Sequence, residues 1–387
     1  MRVLLVLLIT VLATVAFAGR SRSSAAAQDA ATLAKIKSLV HNLSRSEKIE
    51  VIVSLFNGAI SEPMTTLPPA SNKDTNADVD QKLRDAYHLF LIKYKKRYPE
   101  GEDMEARFAL FVNTCREVDQ HNKGVLEGKH TSIQEVNKFA DMTPAEKRSM
   151  SASSIDDEPS SSESKQKPWN NHANATSLDW SLLGAVNPGL NQNPCGSCWT
   201  FASTSAVEGC LAISKQGLVQ LSQQQLQDCY FKKNCKPGGG SVSKAMRIIQ
   251  EQGVTTNQVY PYIHNTGKCR NNVKSVVKVG QILRANNEDE LLNLVKRGPV
   301  AIALASRDLH KYKKGVITNT SFAKRPIDHA VLLVGFANNC DNTGRDCWIV
   351  RNSWGERWGE KGYFRVERGK NIFGISKGLV AVDCKRV

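Results

Sequence analysis

The chain has 387 residues, a formal net charge of +15 and 41% hydrophobic residues. This length allows about two to three domains, and the apolar fraction is sufficient for a packed core. After the first 18 residues, no apolar run is long enough to cross a bilayer, so the sequence predicts no membrane span.

The first segment predicts entry into the secretory pathway. Arg2 precedes an apolar run, Val3–Ala16, and Ala16-Phe-Ala18 has the small-x-small pattern of a cleavage site. Residues 1–18 are therefore expected to be a signal peptide, and the mature protein is expected in a lysosome or vacuole or outside the cell, where disulfides form. Candidate N-glycosylation sites in that compartment are Asn42, Asn174 and Asn319.

Residues 19–80 form a polar extension without a functional motif. Helical periodicity over Ala30–Phe56 gives way to a segment rich in Pro, Asn, Asp and Thr, Ser61–Asp80, which is predicted to be irregular.

Residues 81–122 predict two helices, each with an apolar or aromatic stripe at three- and four-residue spacing. The first stripe is Tyr87, Phe90, Leu91, Tyr94 and Tyr98, and the second is Arg107, Phe111, Val118 and Asn122. An ordinary helical hairpin would show the same pattern. Ser149–Lys165 follows, rich in Ser, Asp and Glu, and is predicted to be an exposed, cleavable linker.

A cysteine, Cys198, stands where an apolar helix is predicted to begin. A thiol at a helix N-terminus lies in the positive end of the peptide dipoles, which favours the nucleophilic thiolate. Cys195 lies three residues earlier, so half of a zinc site or a redox dithiol is an alternative. Cys229 and Cys235 are spaced too widely for a second ligand pair, which argues against zinc. Gly217 is predicted to end the helix.

A nucleophilic thiol needs a base, and the base needs a group that orients it. His264 and His310 lie in polar stretches and are predicted to be surface residues. His329 lies at the mouth of an apolar strand, about 131 residues after Cys198.

Several of these segments resemble papain-like cysteine peptidases of the cathepsin L and papain type. The segment from Gln192 to Trp199 has the pattern Cys-Gly-Ser-Cys-Trp, His329 is followed by Ala-Val, and Asn352 by Ser-Trp-Gly. Asn137-Lys-Phe-Ala-Asp141 is similar to one motif of the inhibitory propeptide. The second stripe matches another, with Asp103 replacing a glutamate and Thr114 an asparagine.

The resemblance implies an α+β fold of two lobes, a helical lobe and a β-barrel-like lobe, with the active site in the cleft between them. It implies the domains 1–18 signal peptide, 19–80 extension, 81–147 inhibitory propeptide, 148–168 linker and 169–387 peptidase.

The resemblance also implies the roles of individual residues. Cys198 is the nucleophile, His329 the base, Asn352 its orienting group and Gln192 the oxyanion donor, while Trp354 shields the His329–Asn352 bond. Residues expected to bind substrate are small or apolar, and they are Gly239, Gly240, Ser241, Val242, Ile327, Ala330, Trp354 and Gly378. Two extra residues before these glycines distinguish the chain from the family pattern. The apolar pocket predicts a bulky apolar substrate residue at P2.

The cysteines are assigned partly by the same resemblance. It implies Cys195–Cys235 and Cys229–Cys269, and it places Ser321 and Phe373 where a further family bridge would lie. Cys210 faces the apolar side of its helix and is expected to be a buried thiol. Cys340 and Cys347 bracket a polar turn and are expected to pair, with Cys340–Cys384 as the rival.

The predicted function is therefore a cysteine endopeptidase made as a zymogen. Most of the positive charge lies after residue 169, but without aromatic residues interleaved, so a solvated basic surface is favoured over nucleic-acid binding. The expected partners are protein or peptide substrates, the propeptide itself and cystatin-like inhibitors, with a monomeric chain and no cofactor or metal. A catalytically weak binding homologue and a transpeptidase are the alternatives.

Overall fold

The computed structural model describes residues 76–387 except 152, 155–171, 173, 194, 232–238 and 342–343. The expected signal peptide, the extension up to residue 75, Asn42, Cys235 and most of the linker lie outside the described residues. The first residues of the linker are not exposed as predicted, because Met150 and Ser151 are buried at the end of a helix. The described residues belong to one compact unit.

The described residues between 76 and 154 form three helices and two short strands. They are α1 (Asn76–Lys93), α2 (Met104–Leu126), β1 (Ser132–Gln134), α3 (Pro144–Met150) and β2 (Ser153–Ser154). The first helix begins inside the segment predicted to be irregular. Asp80 forms an ion pair with Arg84 one turn later, and this spacing supports the helix start.

Aromatic rings from α1 and α2 form the small core of this region. Tyr87 packs against Phe108 and Phe111, and Phe90 packs against Phe111, with ring centroids 5.0–5.6 Å apart. The predicted stripes therefore face each other. The Asp103 side chain accepts a hydrogen bond from the Ala106 N–H and caps α2.

Helices and strands alternate irregularly in the rest of the chain. The helices are α4 (Cys198–Ile213), α5 (Gln223–Leu226), α6 (Val242–Gln252) and α7 (Glu288–Val295). The strands are β3 (Ser177–Asp179), β4 (Gly240–Ser241), β5 (Val277–Lys278), β6 (Gln281–Ala285), β7 (Val300–Leu304), β8 (Tyr312–Ile317), β9 (His329–Ala337), β10 (Cys347–Arg351), β11 (Tyr363–Glu367), β12 (Gly378–Val382) and β13 (Lys385–Arg386).

One sheet joins the N-terminal region to the C-terminal lobe. Its strand order is β1-β8-β11-β10-β9-β7-β12-β6, and β3 also pairs with β9. Every residue of β7 is buried, as is β9 from His329 to Phe336. Because both faces of these central strands are covered, they are continuous apolar runs rather than alternating ones.

Helix α4 is buried along nearly its whole length and packs against β9, β7 and β12. It ends at Ile213, with Lys215 in the left-handed conformation, so the prediction that Gly217 ends it was wrong by a turn. The N-terminus of this helix carries Cys198 at the cleft, and its last turn carries Cys210, which forms a disulfide.

Three disulfides join described residues. Cys229 is bonded to Cys269 and Cys340 to Cys347. Cys195 is disulfide-bonded, and the partner expected for it, Cys235, lies outside the described residues.

The third described bridge corrects the sequence interpretation. Cys210 is bonded to Cys384. Cys210 is therefore not the buried free thiol that was expected, and the rival pairing of Cys340 with Cys384 is excluded. The bridge closes a separation of 174 residues, and the apolar side of α4 that Cys210 faces is the surface over which the C-terminal segment runs.

Candidate active site

Cys198 is the first residue of α4 and is a fully buried thiol. The N–H groups of a helix's first turn point out of its N-terminus and give that end a partial positive charge. Ser197 lies just before the helix, and its hydroxyl bonds the Tyr262 hydroxyl at 2.7 Å. The local sequence therefore places a thiol where the backbone favours negative charge.

His329 and Asn352 come together because they end neighbouring strands. His329 begins β9, and Asn352 follows directly after β10, its antiparallel neighbour. A register shift between Ile349 and Val350 adjusts the pairing. The Asn352 Oδ1 then lies 2.8 Å from the His329 Nε2. This leaves the other ring nitrogen, Nδ1, available to Cys198.

The electrostatics tie His329 to Cys198. Burial alone would lower the pKa of His329, but attraction to Cys198 and hydrogen bonds with Cys198 and Asn352 raise it above its ordinary value. The Cys198 sulfur is the partner of Nδ1, which makes no hydrogen bond to any other described residue. A cationic imidazole is thus stabilised beside the sulfur.

Trp354 covers this pair. Its ring stacks on His329 at 4.9 Å between centroids, with an interplanar angle of 25°. The indole is 1% exposed and covers one face of the His329 ring, whose Nε2 contacts Asn352. The shielding role expected for Trp354 remains a prediction.

Gln192 lies in the cleft, and both the nitrogen and the oxygen of its side-chain amide form hydrogen bonds. Its Nε2 donates to the carbonyls of Cys195 at 2.7 Å and Met150 at 2.8 Å, and its Oε1 accepts from the Ser353 hydroxyl at 2.5 Å. The Gln192 backbone N–H bonds the Ser353 carbonyl at 2.8 Å. Gln192 is therefore fixed to the loop that carries Asn352.

Three contributors to this geometry were missed from the sequence. Ser353 positions Gln192, Tyr262 donates to the Gln192 carbonyl at 3.0 Å, and Met150 supplies the carbonyl that occupies the Gln192 amide. The segment Tyr260-Pro-Tyr262 is the one local pattern that could have drawn attention to Tyr262. Ser353 adjoins Asn352, and Met150 ends a helix with no chemical signature.

The expected substrate-binding residues fall into two groups. Gly240 and Ser241 form β4, which pairs with β2 in parallel, and Val242 begins α6. A Cβ at Gly240 would lie 2.5 Å from the Trp199 ring, so only glycine fits there. Gly239 lies beside this strand, partly exposed.

The second group lies on the C-terminal lobe, and one member is misplaced. Ala330 is buried in β9, and Ile327 is 40% exposed at the rim. A side chain at Gly378 would point at Leu291, on the face of the sheet opposite to Ala330. The structure therefore does not bring Gly378 together with the others, because the strand pairing puts it on the other face.

The N-terminal region covers the cleft. The Lys138 Nζ donates to the Trp354 carbonyl at 2.8 Å, and the Phe139 ring meets Trp354 edge-on at 5.2 Å. Burial lowers the pKa of Lys138 to about 8. Together with Met150 at Gln192, these contacts keep a substrate away from Cys198.

Among the other histidines, His264 is exposed as expected and His310 is not. His310 is 4% exposed, because Trp354 stacks on its ring at 4.6 Å and Phe139 meets it edge-on at 5.2 Å. The expectation of a surface residue was wrong because the covering residues are distant in sequence.

The propeptide motifs that resembled the family also have clear physical roles. The Arg107 guanidinium pairs with Glu102 at 2.6 Å and with Glu146, joining α2 to α3. The Thr114 hydroxyl donates to the Ala140 carbonyl at 2.8 Å, which ties α2 to the segment after β1. Asp141 accepts from Lys96 at 2.6 Å and from the Tyr98 hydroxyl.

A buried thiol, an imidazole and an amide under a docked N-terminal region define a cysteine peptidase precursor. A family model for papain family cysteine protease matches residues 174–382, and a model for the cathepsin propeptide inhibitor domain (I29) matches residues 87–146. The chain belongs to the papain family of cysteine proteases, and the matched propeptide domain makes it a zymogen.

Similar proteins support the same family. Fruit bromelain of Ananas comosus is 33% identical over 316 residues, covering 79% of this chain and 86% of that protein. Pro-cathepsin H of Mus musculus is 35% identical over 307 residues, covering 75% and 87%. The structure of digestive procathepsin L 3 of Tenebrio molitor larval midgut matches with a TM-score of 0.68 at 29% identity, covering 78% of this chain and 99% of that one.

The described helices are relevant to membrane association only through their length and hydropathy. None within residues 76–387 is both long and apolar enough to cross a bilayer.

Proposed function

We propose that Cys198 is the nucleophile, His329 the general base and acid, Asn352 the group that orients His329, and Gln192 an oxyanion donor. The observation that carries this assignment is the position of His329, whose Nε2 is held by Asn352 while Cys198 raises the pKa of the ring. A thiolate beside an imidazolium is the reactive form of such a pair.

The proposed reaction is acyl transfer in two steps. The Cys198 sulfur attacks the peptide carbonyl carbon, and the carbonyl π electrons move to oxygen. The Gln192 Nε2 and the Cys198 backbone N–H donate to that oxygen, each worth about 2.7–4 kcal/mol in the transition state. The C–N bond then breaks, and the His329 proton passes to the leaving amine.

Water completes the cycle. His329, now neutral, takes a proton from a water molecule that attacks the thioester carbon, and the second tetrahedral intermediate collapses to a carboxylic acid and the Cys198 thiolate. Peptide bonds are therefore hydrolysed, with no cofactor in the proposal. Transpeptidation would need an amine in place of the water.

We further propose an endopeptidase that prefers an apolar side chain at P2. The buried Val242 and Ala330 and the rim residue Ile327 support an apolar pocket, and Gly240 supports close approach of a substrate backbone. A profile of cleaved peptides that shows a charged P2 preference would contradict this part.

The maturation scheme is proposed as a whole. Residues 1–18 direct secretion, the linker between residues 148 and 168 is cut, and the peptidase beginning near residue 169 acts as a monomer in a lysosome or vacuole or outside the cell. Cystatin-like inhibitors would occupy its cleft. Asn174 and Asn319 are exposed, as glycosylation requires.

Active-site labelling tests the assignment. After acid incubation, a peptidyl epoxide should label Cys198 in the parent and leave the Cys198→Ala variant unlabelled and without turnover. Cys115, a buried thiol of the propeptide, supplies the control, because Cys115→Ala should keep both labelling and turnover. Normal hydrolysis by Cys198→Ala would refute the assignment.

A further inference from the structure

His310 is a buried titratable group that the proposed reaction does not use. The propeptide holds this residue at two points. The Phe139 ring meets the imidazole edge-on at 5.2 Å, and the Asn137 Nδ2 donates to the His310 carbonyl at 2.7 Å. Trp354 stacks on the same imidazole, so the contact between His310 and the propeptide lies at the covered cleft.

The ring has no acceptor for a second proton. Its Nδ1 lies 3.3 Å from the Arg307 carbonyl and can donate one proton there. Its Nε2 is buried and makes no hydrogen bond within the part of the chain that the structure describes. A proton on Nε2 would therefore place an uncompensated charge among aromatic rings, which is costly.

The charged groups around the ring do not offset that cost. Lys147 of α3, the neighbouring Lys311 and His329 all act on His310 with positive charge. Burial and Lys147 together lower the pKa of His310 to about 3, against an ordinary 6.5. His310 is thus neutral while the propeptide is docked.

We propose that His310 is the pH sensor of the zymogen, and that protonation of its Nε2 displaces the propeptide segment 137–139 from Trp354. This inference rests on the proposed function only in taking the covered cleft as the active site. Once the segment leaves, the ring meets water and can hold its charge. Acid therefore favours the open form.

The sign and the size of the effect follow from linkage. The pKa of His310 is lowered in the docked form, so its contribution to docking is complete above pH 6.5 and declines as the pH falls towards 3. At pH 4.5, two units below the ordinary value, the ring should favour opening by about 100-fold.

Two carboxylates of the propeptide also contact the peptidase. Glu117 accepts a hydrogen bond from the Lys311 Nζ at 2.6 Å. Burial alone would raise the pKa of Glu117, but the bond with Lys311 lowers it below the ordinary 4.5. The contribution of Glu117 to propeptide docking is therefore lost only below pH 4.5. Glu135 lies 3.1 Å from Lys313, and burial raises its pKa despite that lysine. Acid therefore favours docking through Glu135, opposite to His310.

Two further charged groups lie near this contact. Lys138, whose pKa is lowered to about 8, changes its contribution only above that pH. Asp308 pairs with Arg325 in the loop before His310. The pH dependence of propeptide opening in a chain with His310, minus that in a chain without it, gives the effect of the imidazole alone.

The experiment uses the full-length Cys198→Ala zymogen, which cannot process itself. Amide hydrogen exchange over residues 132–141, corrected for intrinsic rates, gives the opening equilibrium from pH 7 to 4.5. His310→Gln in the same background cannot titrate but keeps an amide donor for the Arg307 carbonyl. His88→Gln, on the exposed side of α1, is the matched control.

Between pH 7 and 4.5, opening should increase about 100-fold more in the parent and in His88→Gln than in His310→Gln. Equal pH dependence in His310→Gln and the parent would overturn the proposal. Should His310→Gln be open at every pH, NMR of the His310 ring in the protected parent decides. A ring that stays neutral to pH 4.5 supports the sensor, and a midpoint near 6.5 overturns it.

The proposed function is tested separately. Exchange is measured without Cys198, so it does not depend on the reaction. Failure of peptide hydrolysis after propeptide removal would refute the catalytic assignment and leave the exchange result standing.

Discussion

The Met150 carbonyl accepts a hydrogen bond from the Gln192 Nε2 at 2.8 Å, although the two residues belong to different regions of the zymogen. The amide proposed to stabilise an oxyanion is thus occupied by a propeptide carbonyl. A neutral carbonyl attracts this donor less than a developing negative charge would. The same group can therefore serve inhibition and catalysis.

Replacing Gln192 by Ala separates these two uses. We expect kcat of the mature enzyme to fall about 10²–10³-fold, with a much smaller change in KM, because the lost donor acts mainly in the transition state. Steady-state hydrolysis of a peptide substrate measures both constants. An unchanged kcat would contradict the proposed role, and Gln250→Ala on α6 is the control, since that side chain bonds only the Gly280 carbonyl among the described contacts.

Asn352→Ala should change the pH profile. The Asn352 bond raises the pKa of His329, so its removal lowers that pKa and moves the alkaline limb of kcat/KM to lower pH. A hydrogen bond to a charged group contributes about 1.5–3 kcal/mol, so kcat/KM should fall about 10–100-fold. A profile with unchanged limbs would show that Asn352 does not act through His329.

Gly240→Ala should weaken both substrate binding and folding. The new Cβ would lie 2.5 Å from the Trp199 ring, which is 2% exposed and has little room to move. Overpacking of this kind costs about 1–3 kcal/mol. Thermal unfolding and KM measure the two effects, and a variant with parental values of both would contradict the close contact.

Arg107→Met should loosen the propeptide. Arg107 is 5% exposed and joins Glu102 to Glu146, so its removal leaves carboxylates without their cation at a cost of about 3 kcal/mol, reduced where Glu146 reaches solvent. The matched control is Arg84→Met, whose pairs with Asp80 and Glu105 are exposed. Inhibition by the propeptide should weaken in the first variant and persist in the second.

Replacing Cys210 and Cys384 together by Ala should destabilise more than replacing Cys340 and Cys347. The separations are 174 and 7 residues, and the chain-entropy model gives the longer loop about 3 kcal/mol more stabilisation. Denaturant unfolding of the two double variants measures the difference. Equal losses would indicate that strain or residual structure outweighs loop entropy.

The residues proposed to be catalytic each have a local signal in the sequence. Cys198 begins a helix, His329 begins a strand, and Asn352 follows one, so patterns along the chain locate them. The peptidase fold and the propeptide followed from the resemblance, and the family match confirms both.

The errors share a different physical cause. Burial of His310, pairing of Cys210 with Cys384 and the face on which Gly378 lies are set by segments far away in sequence. A polar stretch predicts exposure only until another part of the chain covers it. Strand register likewise decides the direction of a side chain, and a single sequence does not reveal it.

Phe322 and Phe373 stack at 5.0 Å where the family resemblance would place a bridge between residues 321 and 373. To reach this position, Phe373 adopts a φ of 60°, a conformation that L residues rarely take. Its carbonyl accepts from the Ala305 N–H at 2.9 Å, beside the segment leading to His310. A thiol reductant would therefore leave the contact between Phe322 and Phe373 intact. A disulfide at this position would instead make the stability of the cleft wall depend on the redox potential of its surroundings.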